Sequence, residues 1–100
     1  MTGIQGLEPA ELTLVRSILE RHPAVTGALL FGSRAKGTAA RASDIDLALE
    51  GVLDPLRASA VGAELEALPL PYRFDVVALA EIAHGPLLEH IERVGIRIYG

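Results

Sequence analysis

The sequence contains no cysteine and no tryptophan, and only four of its 100 residues are Phe or Tyr. Without cysteine the chain cannot form a disulfide scaffold or a zinc site that is built on thiolate ligands. With so few aromatic rings, it has little material for stacking against nucleobases. These absences exclude the small disulfide-rich domains and disfavour proteins that read single-stranded nucleic acid by stacking.

Long apolar segments and excess positive charge are also missing. No apolar run approaches the roughly 20 residues that cross a bilayer, and the first residues lack the basic and apolar regions of a secretory signal. Nine Lys and Arg against thirteen Asp and Glu give a net charge of -4, which argues against bulk nucleic-acid binding. We therefore expect a cytoplasmic protein that binds no membrane and no nucleic acid directly.

Half of the residues are apolar, which is enough for the core of one domain over residues 1–100. Apolar periodicity, prolines and glycines predict helices and strands in alternation. The predicted order is a helix from Pro9 to His22, strands Val25–Phe31 and Ile45–Leu49, a helix between Asp54 and Pro69, a strand Arg73–Leu79, a helix Pro86–Val94 ended by Gly95, and a strand Ile96–Tyr99. Such alternation indicates an α/β (α+β) layer fold around a small sheet.

A glycine-rich turn follows the first predicted strand. Gly32 would let a ligand approach the backbone closely, and Ser33 adds a hydroxyl donor beside free N–H groups that can bind phosphate. Arg34 and Lys36 add positive charge in the same turn. The residues that a P-loop or a dinucleotide fingerprint requires are absent. The alternative is a solvated basic turn that only joins two strands.

Two aspartates open the second predicted strand. Asp44 and Asp46 are two residues apart, so their side chains point to the same face, roughly 6–7 Å from each other. Their repulsion at an effective dielectric constant near 20 is about 2–3 kcal/mol. Mg²⁺, which prefers carboxylate and phosphate oxygens, would remove that conflict. The alternative is an exposed strand start where water screens both charges.

A third carboxylate, Asp75, interrupts the apolar run of the third predicted strand. A lone acid in a buried strand is unfavourable unless it is paired or bound to a metal. If this strand lies beside the second one, Asp75 joins Asp44 and Asp46 in a three-carboxylate site of the kind that two-metal phosphoryl or nucleotidyl transfer uses. The alternative is a salt bridge with Arg73, which is two residues away on the same face.

The spacing of these motifs resembles a known family. The segment Gly32-Ser33-Arg34-Ala35-Lys36-Gly37 followed by Ser43-Asp44-Ile45-Asp46-Leu47 is similar to the signature of the polymerase-beta-like nucleotidyltransferases. The small size resembles their minimal nucleotidyltransferase (MNT) domains, some of which are antitoxins encoded beside HEPN ribonuclease toxins. The resemblance extends over nearly the whole chain and implies the nucleotidyltransferase fold, a small mixed β-sheet packed with helices.

The resemblance also implies a role for each motif residue. Gly32 and Ser33 would hold the β- and γ-phosphates of ATP, and Arg34, or less favourably Lys36, would neutralise phosphate charge. Two Mg²⁺ ions would be held by the aspartates at positions 44 and 46. Asp75 would complete the metal site and help to activate the acceptor hydroxyl.

The MNT resemblance further suggests the acceptor, a tyrosine of a cognate HEPN toxin that would receive AMP. The protein would then be an antitoxin. Two alternatives are an antitoxin that only masks its partner, and the less favoured transfer of a nucleotide to an antibiotic, for which a second domain would be expected to hold the drug.

Five further residues carry weaker signals. The three histidines lack the spacing of metal ligands on one helix, so we expect His22 to complement a helix dipole, His84 to lie near a helix start and His90 to lie on a helix surface. Glu50 could approach a metal but fits an exposed turn better. Tyr99 is typical of a sheet edge or an interface.

Overall fold

The computed structural model describes residues 8–31, 44–70, 72–82 and 85–100. Within these ranges the chain forms three α-helices and four strands in the predicted order. The helices are α1 (Pro9–Leu19), α2 (Pro55–Glu66) and α3 (Pro86–Val94), and the strands are β1 (Gly27–Phe31), β2 (Ile45–Glu50), β3 (Phe74–Ala78) and β4 (Ile96–Tyr99), with a short 3-10 turn at Leu79–Glu81. None of the helices in this part of the chain has the length and apolarity to span a bilayer.

The four strands form one mixed sheet in the order β3-β2-β1-β4. Strand β1 pairs antiparallel with both β2 and β4. Strands β2 and β3 are parallel, and α2 makes the crossover between them. The prediction of a small mixed sheet packed with helices is confirmed.

The start of each long helix follows from its first residues. At α2, Pro55 occupies the first turn and the Asp54 side chain accepts a hydrogen bond of 2.9 Å from the backbone N–H of Leu56, as the sequence predicts for an N-cap. At α1, Pro9 has the same position, and the Glu11 carboxylate accepts a 3.1 Å hydrogen bond from the backbone N–H of Glu8. Both helices therefore begin with a proline, which has no N–H that needs a partner, and with an acidic side chain that accepts a hydrogen bond from a backbone N–H.

The end of α3 differs from the prediction in its conformation. Gly95 ends the helix as the sequence predicts, but it is the cap residue itself and not the residue after the cap, and its φ of -62° and ψ of 140° are extended. Glycine is needed there for another reason, because a Cβ atom would overlap the carbonyl oxygen of Ile91. That carbonyl accepts a 2.7 Å hydrogen bond from the Gly95 N–H, which closes the helix.

The two faces of the sheet are packed unequally. One face carries the main core, to which α1, α2 and all four strands contribute. The other face carries a small cluster beneath α3, made of the buried residues Phe31, Ala48 and Ile91, with Leu29, Val77, Leu79 and Ile82 packed against it. The side chains of β2 alternate between the two faces, so that Leu47 enters the main core and its neighbours Asp46 and Ala48 face α3.

Shortening a side chain of the main core should destabilise the fold strongly. Leu47 is 0% exposed in the central strand β2, so Leu47→Ala should lower the free energy of unfolding by about 2–5 kcal/mol. Leu56→Ala is the matched control, because Leu56 is 76% exposed on α2, and it should change that free energy by about 0.5 kcal/mol or less. Urea unfolding followed by circular dichroism measures both, and equal losses in the two variants would contradict this description of the core.

Candidate active site

Three aspartates lie near one another where β2 and β3 begin. Asp46 of β2 and Asp75 of β3 are register partners in the parallel pair, and neighbouring strands lie about 4.8 Å apart. Asp44 directly precedes β2 and is exposed, as is Asp75, whereas Asp46 is partly buried. The sequence predicts that the three acids come together if the third strand lies beside the second, and the two strands are indeed paired.

The side chains of Asp46 and Asp75 share one face of the sheet. Their strand neighbours Ile45 and Phe74 enter the main core, so by alternation both aspartates point to the opposite face. This is the face that α3 covers in part. The main core therefore packs against one face of the strands that carry the acids, and the acids lie on the opposite face.

The surroundings of Asp46 make its ionisation less favourable. The pKa of Asp46 is raised above its ordinary value, first because burial disfavours the charged carboxylate, and then because the negative charges of Asp75 and Asp44 repel it. Both neighbours thus lie close enough to act on Asp46 through their charge. A cation bound among them would relieve this repulsion.

Arg73 does not provide that cation in the described part of the chain. No ion pair joins Arg73 to Asp75 there, so the salt bridge considered from the sequence is not formed. The backbone of Arg73 has a different role, because its carbonyl oxygen accepts a 2.8 Å hydrogen bond from the N–H of Ile45. This bond helps to fix the register that brings Asp46 beside Asp75.

Glu50 lies at the other end of β2 and is held away from the three acids. Arg97 of β4 donates hydrogen bonds of 2.6 and 3.1 Å to its two carboxylate oxygens. The pair crosses above Gly27 of β1, where a Cβ atom would overlap the Glu50 carboxylate. These hydrogen bonds lower the pKa of Glu50. The carboxylate is therefore engaged with arginine, at the end of β2 away from the three aspartates.

Two histidines lie in places that the sequence did not predict. His22 is buried after the end of α1, and its Nε2 atom lies 3.2 Å from Glu64 Oε1 of α2, without the alignment of a hydrogen bond. His90 is partly buried on α3, and its ring meets the ring of Phe31 edge-on. A lone histidine gives no signal of its packing in the sequence, because the contacting residue is distant along the chain.

The remaining predicted site residues lie outside the described residues. These are the four residues of the glycine-serine turn, Gly32, Ser33, Arg34 and Lys36, and also His84. What is known of the turn is its connection in the sequence, since Gly32 follows Phe31, the last residue of β1. Their roles therefore remain predictions.

The three carboxylates suit divalent magnesium by their chemistry, although in the described residues their positions do not yet form a ligand group. Carboxylate oxygens are the hard ligands that Mg²⁺ prefers, and both partners of Asp46 are exposed and can change rotamer without unpacking the core. Among the described residues, no three acidic or histidine side chains already form a closed ligand group. Binding would therefore require these side chains to turn towards the ion.

The family of the chain follows from this fold and site. Residues 14–100 match the family described as polymerase beta, nucleotidyltransferase. The match covers most of the chain, including both strands that carry the acids, and the chain belongs to this family. The suspected family is confirmed. No curated protein sequence gives a significant match to the chain.

Solved structures with the same fold agree with this assignment. A chain of a crystal structure of a toxin-antitoxin with AMP-PNP is 25% identical, with a TM-score of 0.70, over 94% of this chain and 74% of that chain. A chain of the tri-AMPylated Shewanella oneidensis HEPN toxin in complex with MNT antitoxin is 21% identical, with a TM-score of 0.66, over 91% and 71%. A nucleotidyltransferase fold from Sulfolobus solfataricus is 19% identical, with a TM-score of 0.52, over 88% and 78%.

Removing the charge of Asp46 should stabilise the metal-free protein at neutral pH. The folded-state pKa of Asp46 is raised, so the fold loses stability when this group ionises, and Asp46→Asn removes the loss. The gain in Tm should be absent below the ordinary aspartate pKa of about 3.9. It should then grow with pH and level off above the raised pKa of Asp46.

The measurement is thermal unfolding of both proteins from acidic to neutral pH in the presence of a chelator. Asp54→Asn is the matched control, because Asn caps a helix about as well as Asp, and Asp54 is an exposed N-cap. Its Tm should show no gain that grows with pH. A loss of stability in Asp46→Asn at neutral pH would contradict the repulsion described here.

Proposed function

We propose that the protein is a magnesium-dependent nucleotidyltransferase that moves AMP from ATP to a tyrosine hydroxyl of a HEPN toxin, and so acts as its antitoxin. One observation supports this proposal above the others. Asp46 and Asp75 are register partners on the face of the sheet opposite the main core, with Asp44 beside them, in a member of the nucleotidyltransferase family. The reaction needs ATP and so fits the cytoplasmic location expected from the sequence.

The structural neighbours support the choice of nucleotide and partner. One is a toxin-antitoxin with AMP-PNP, an analogue of ATP. Another contains a tri-AMPylated HEPN toxin with an MNT antitoxin. An adenine nucleotide and a protein acceptor of this class are therefore the first to test with this chain.

The predicted site residues would bind the metal and the phosphates of ATP. Asp44, Asp46 and Asp75 would hold Mg²⁺, which supplies positive charge for the attacking and leaving oxygens of the displacement. Gly32 and Ser33 would hold the β- and γ-phosphates. The acceptor oxygen would form a bond to the α-phosphorus as the bond to pyrophosphate breaks.

The proton of the acceptor hydroxyl would pass to a carboxylate oxygen of Asp75. This aspartate suits the role because it is exposed and carried by β3, on the side of Asp46 away from β1, the strand that the glycine-serine residues follow in the sequence. Donor and acceptor would thus reach Asp46 from opposite sides.

Transfer is tested with ATP labelled at the α-phosphate, incubated with Mg²⁺, the protein and the HEPN toxin from the same host. We expect label on the toxin with the wild type, at least about 100-fold less with Asp46→Asn, and none from ATP labelled at the γ-phosphate. Asp54→Asn is the matched control and should label the toxin like the wild type.

The same variants separate catalysis from masking. If Asp46→Asn still binds the toxin but no longer neutralises it at equal protein concentration, neutralisation depends on the reaction. If Asp46→Asn neutralises as well as the wild type, the protein acts by masking and the catalytic proposal is wrong. Label from both forms of ATP would indicate phosphate transfer or non-specific attachment.

Mg²⁺ should stabilise the free protein through the same aspartates. A ligand that binds only the folded state raises Tm by an amount that grows with its concentration relative to Kd, so millimolar Mg²⁺ should raise the Tm of the wild type and of Asp54→Asn. Asp46→Asn should lose most of that shift, because a central ligand has lost its charge. Equal shifts in all three proteins in thermal scans would exclude Asp46 as a metal ligand.

A further inference from the structure

The strand that carries Asp75 lies at an edge of the sheet. In the described part of the chain, the strand order β3-β2-β1-β4 gives β3 one neighbouring strand, β2. On the side of β2, the carbonyl oxygen of Arg73 accepts the 2.8 Å hydrogen bond from the N–H of Ile45. The other side of an edge strand presents backbone groups that no strand pairs. A contact on that outer side would therefore help to fix Asp75 beside its register partner Asp46.

Glu66, the last residue of α2, makes such a contact. Its Oε2 atom accepts a 3.1 Å hydrogen bond from the backbone N–H of Phe74, the residue directly before Asp75. The Phe74 side chain is itself buried in the main core. The start of β3 is thus held by an apolar side chain on one face of the sheet and by the Glu66 carboxylate through a backbone N–H.

Asp75 depends on this anchoring more than Asp46 does. Asp46 is partly buried on β2, which has a neighbouring strand on each side, whereas Asp75 is exposed on the edge strand. The negative charge of Asp75 is one of the causes that raise the pKa of Asp46, so the two carboxylates repel each other. That repulsion favours displacement of the less restrained strand, β3. The hydrogen bond from Phe74 to Glu66 opposes the displacement.

We propose that Glu66 is a positioning residue for metal binding, whose hydrogen bond to Phe74 holds Asp75 where it can share a cation with Asp46. The inference rests on the proposed function and extends it to a residue of the crossover helix, outside the sequence motifs. It assigns the effect to the acceptor oxygen and not to the charge of Glu66, because the contact seen is a hydrogen bond from a backbone N–H. The amide oxygen of glutamine can accept the same bond, so glutamine should serve nearly as well as glutamate.

The test compares four variants of the full chain with the wild type. Glu66→Ala and Glu66→Met remove the acceptor oxygen, and methionine keeps an unbranched side chain of similar length. Glu66→Gln keeps an acceptor oxygen and removes the charge. Glu81→Ala is the matched control, because Glu81 is exposed and follows the other end of β3. Calorimetric titration with Mg²⁺ alone measures metal affinity without requiring transfer, and thermal unfolding in a chelator shows that each variant folds.

We expect Glu66→Ala and Glu66→Met to bind Mg²⁺ about three- to ten-fold more weakly, the range that the loss of one hydrogen bond can produce. Glu66→Gln and Glu81→Ala should bind within about two-fold of the wild type, a change smaller than one hydrogen bond supplies. In the labelling reaction, the Mg²⁺ concentration that gives half of the maximal rate should rise in the two variants without the acceptor oxygen. Their rate at saturating Mg²⁺ should stay near that of the wild type, because both aspartates are then held together by the cation.

Three results would overturn the inference, and they differ from one another. Wild-type Mg²⁺ affinity in both Glu66→Ala and Glu66→Met, even with a lower Tm, would limit the hydrogen bond to a structural role. Weak binding by Glu66→Gln as well would assign the effect to the negative charge. A wild-type protein that binds no Mg²⁺ and labels no toxin would overturn the proposed function itself and, with it, this extension. If Glu66→Ala does not fold, the comparison of Glu66→Met with Glu66→Gln decides.

Discussion

The parallel pairing of β2 with β3 is the constraint on which the candidate site depends. It places Asp46 beside Asp75, although the two carboxylates repel each other. A shift of one residue would turn Asp75 towards the main core and Phe74 towards solvent. The apolar side chains on the other face of the two strands therefore fix the register, because their burial would be lost in any slipped pairing.

The crossover helix contributes to the same constraint. Near the end of α2, the Glu66 carboxylate accepts a 3.1 Å hydrogen bond from the N–H of Phe74 at the start of β3. In the middle of the helix, Gly62 is buried, and a Cβ atom there would already touch Val76 at 3.4 Å. That distance is an ordinary van der Waals contact, so α2 packs closely on β3 at this point. Apolar packing on one face of the sheet therefore stabilises a strand register that brings mutually repelling aspartates together on the other face.

Much of this arrangement could be predicted from local signals. Prolines, the Asp54 cap and apolar periodicity place the elements, and the two-residue spacing of Asp44 and Asp46 puts them on one face. Contacts between distant parts of the chain could not be predicted in this way. The Glu50–Arg97 pair joins residues 47 positions apart, and His90 meets Phe31 across 59 positions. Such contacts depend on strand order and helix placement, which no local pattern specifies.

The row Asp75, Asp46 and Phe31 surrounds one carboxylate with two different neighbours. On one side of Asp46 is an exposed acid, and on the other is a buried ring that leads into the glycine-serine turn. Polar and apolar neighbours thus make the two sides of one carboxylate chemically different. Helix α3 packs on the apolar part of this face, whereas Asp75 stays exposed. In the proposed reaction, the order of the three strands would place Asp75 and Phe31 on different sides of Asp46 and so keep the acceptor side distinct from the donor side.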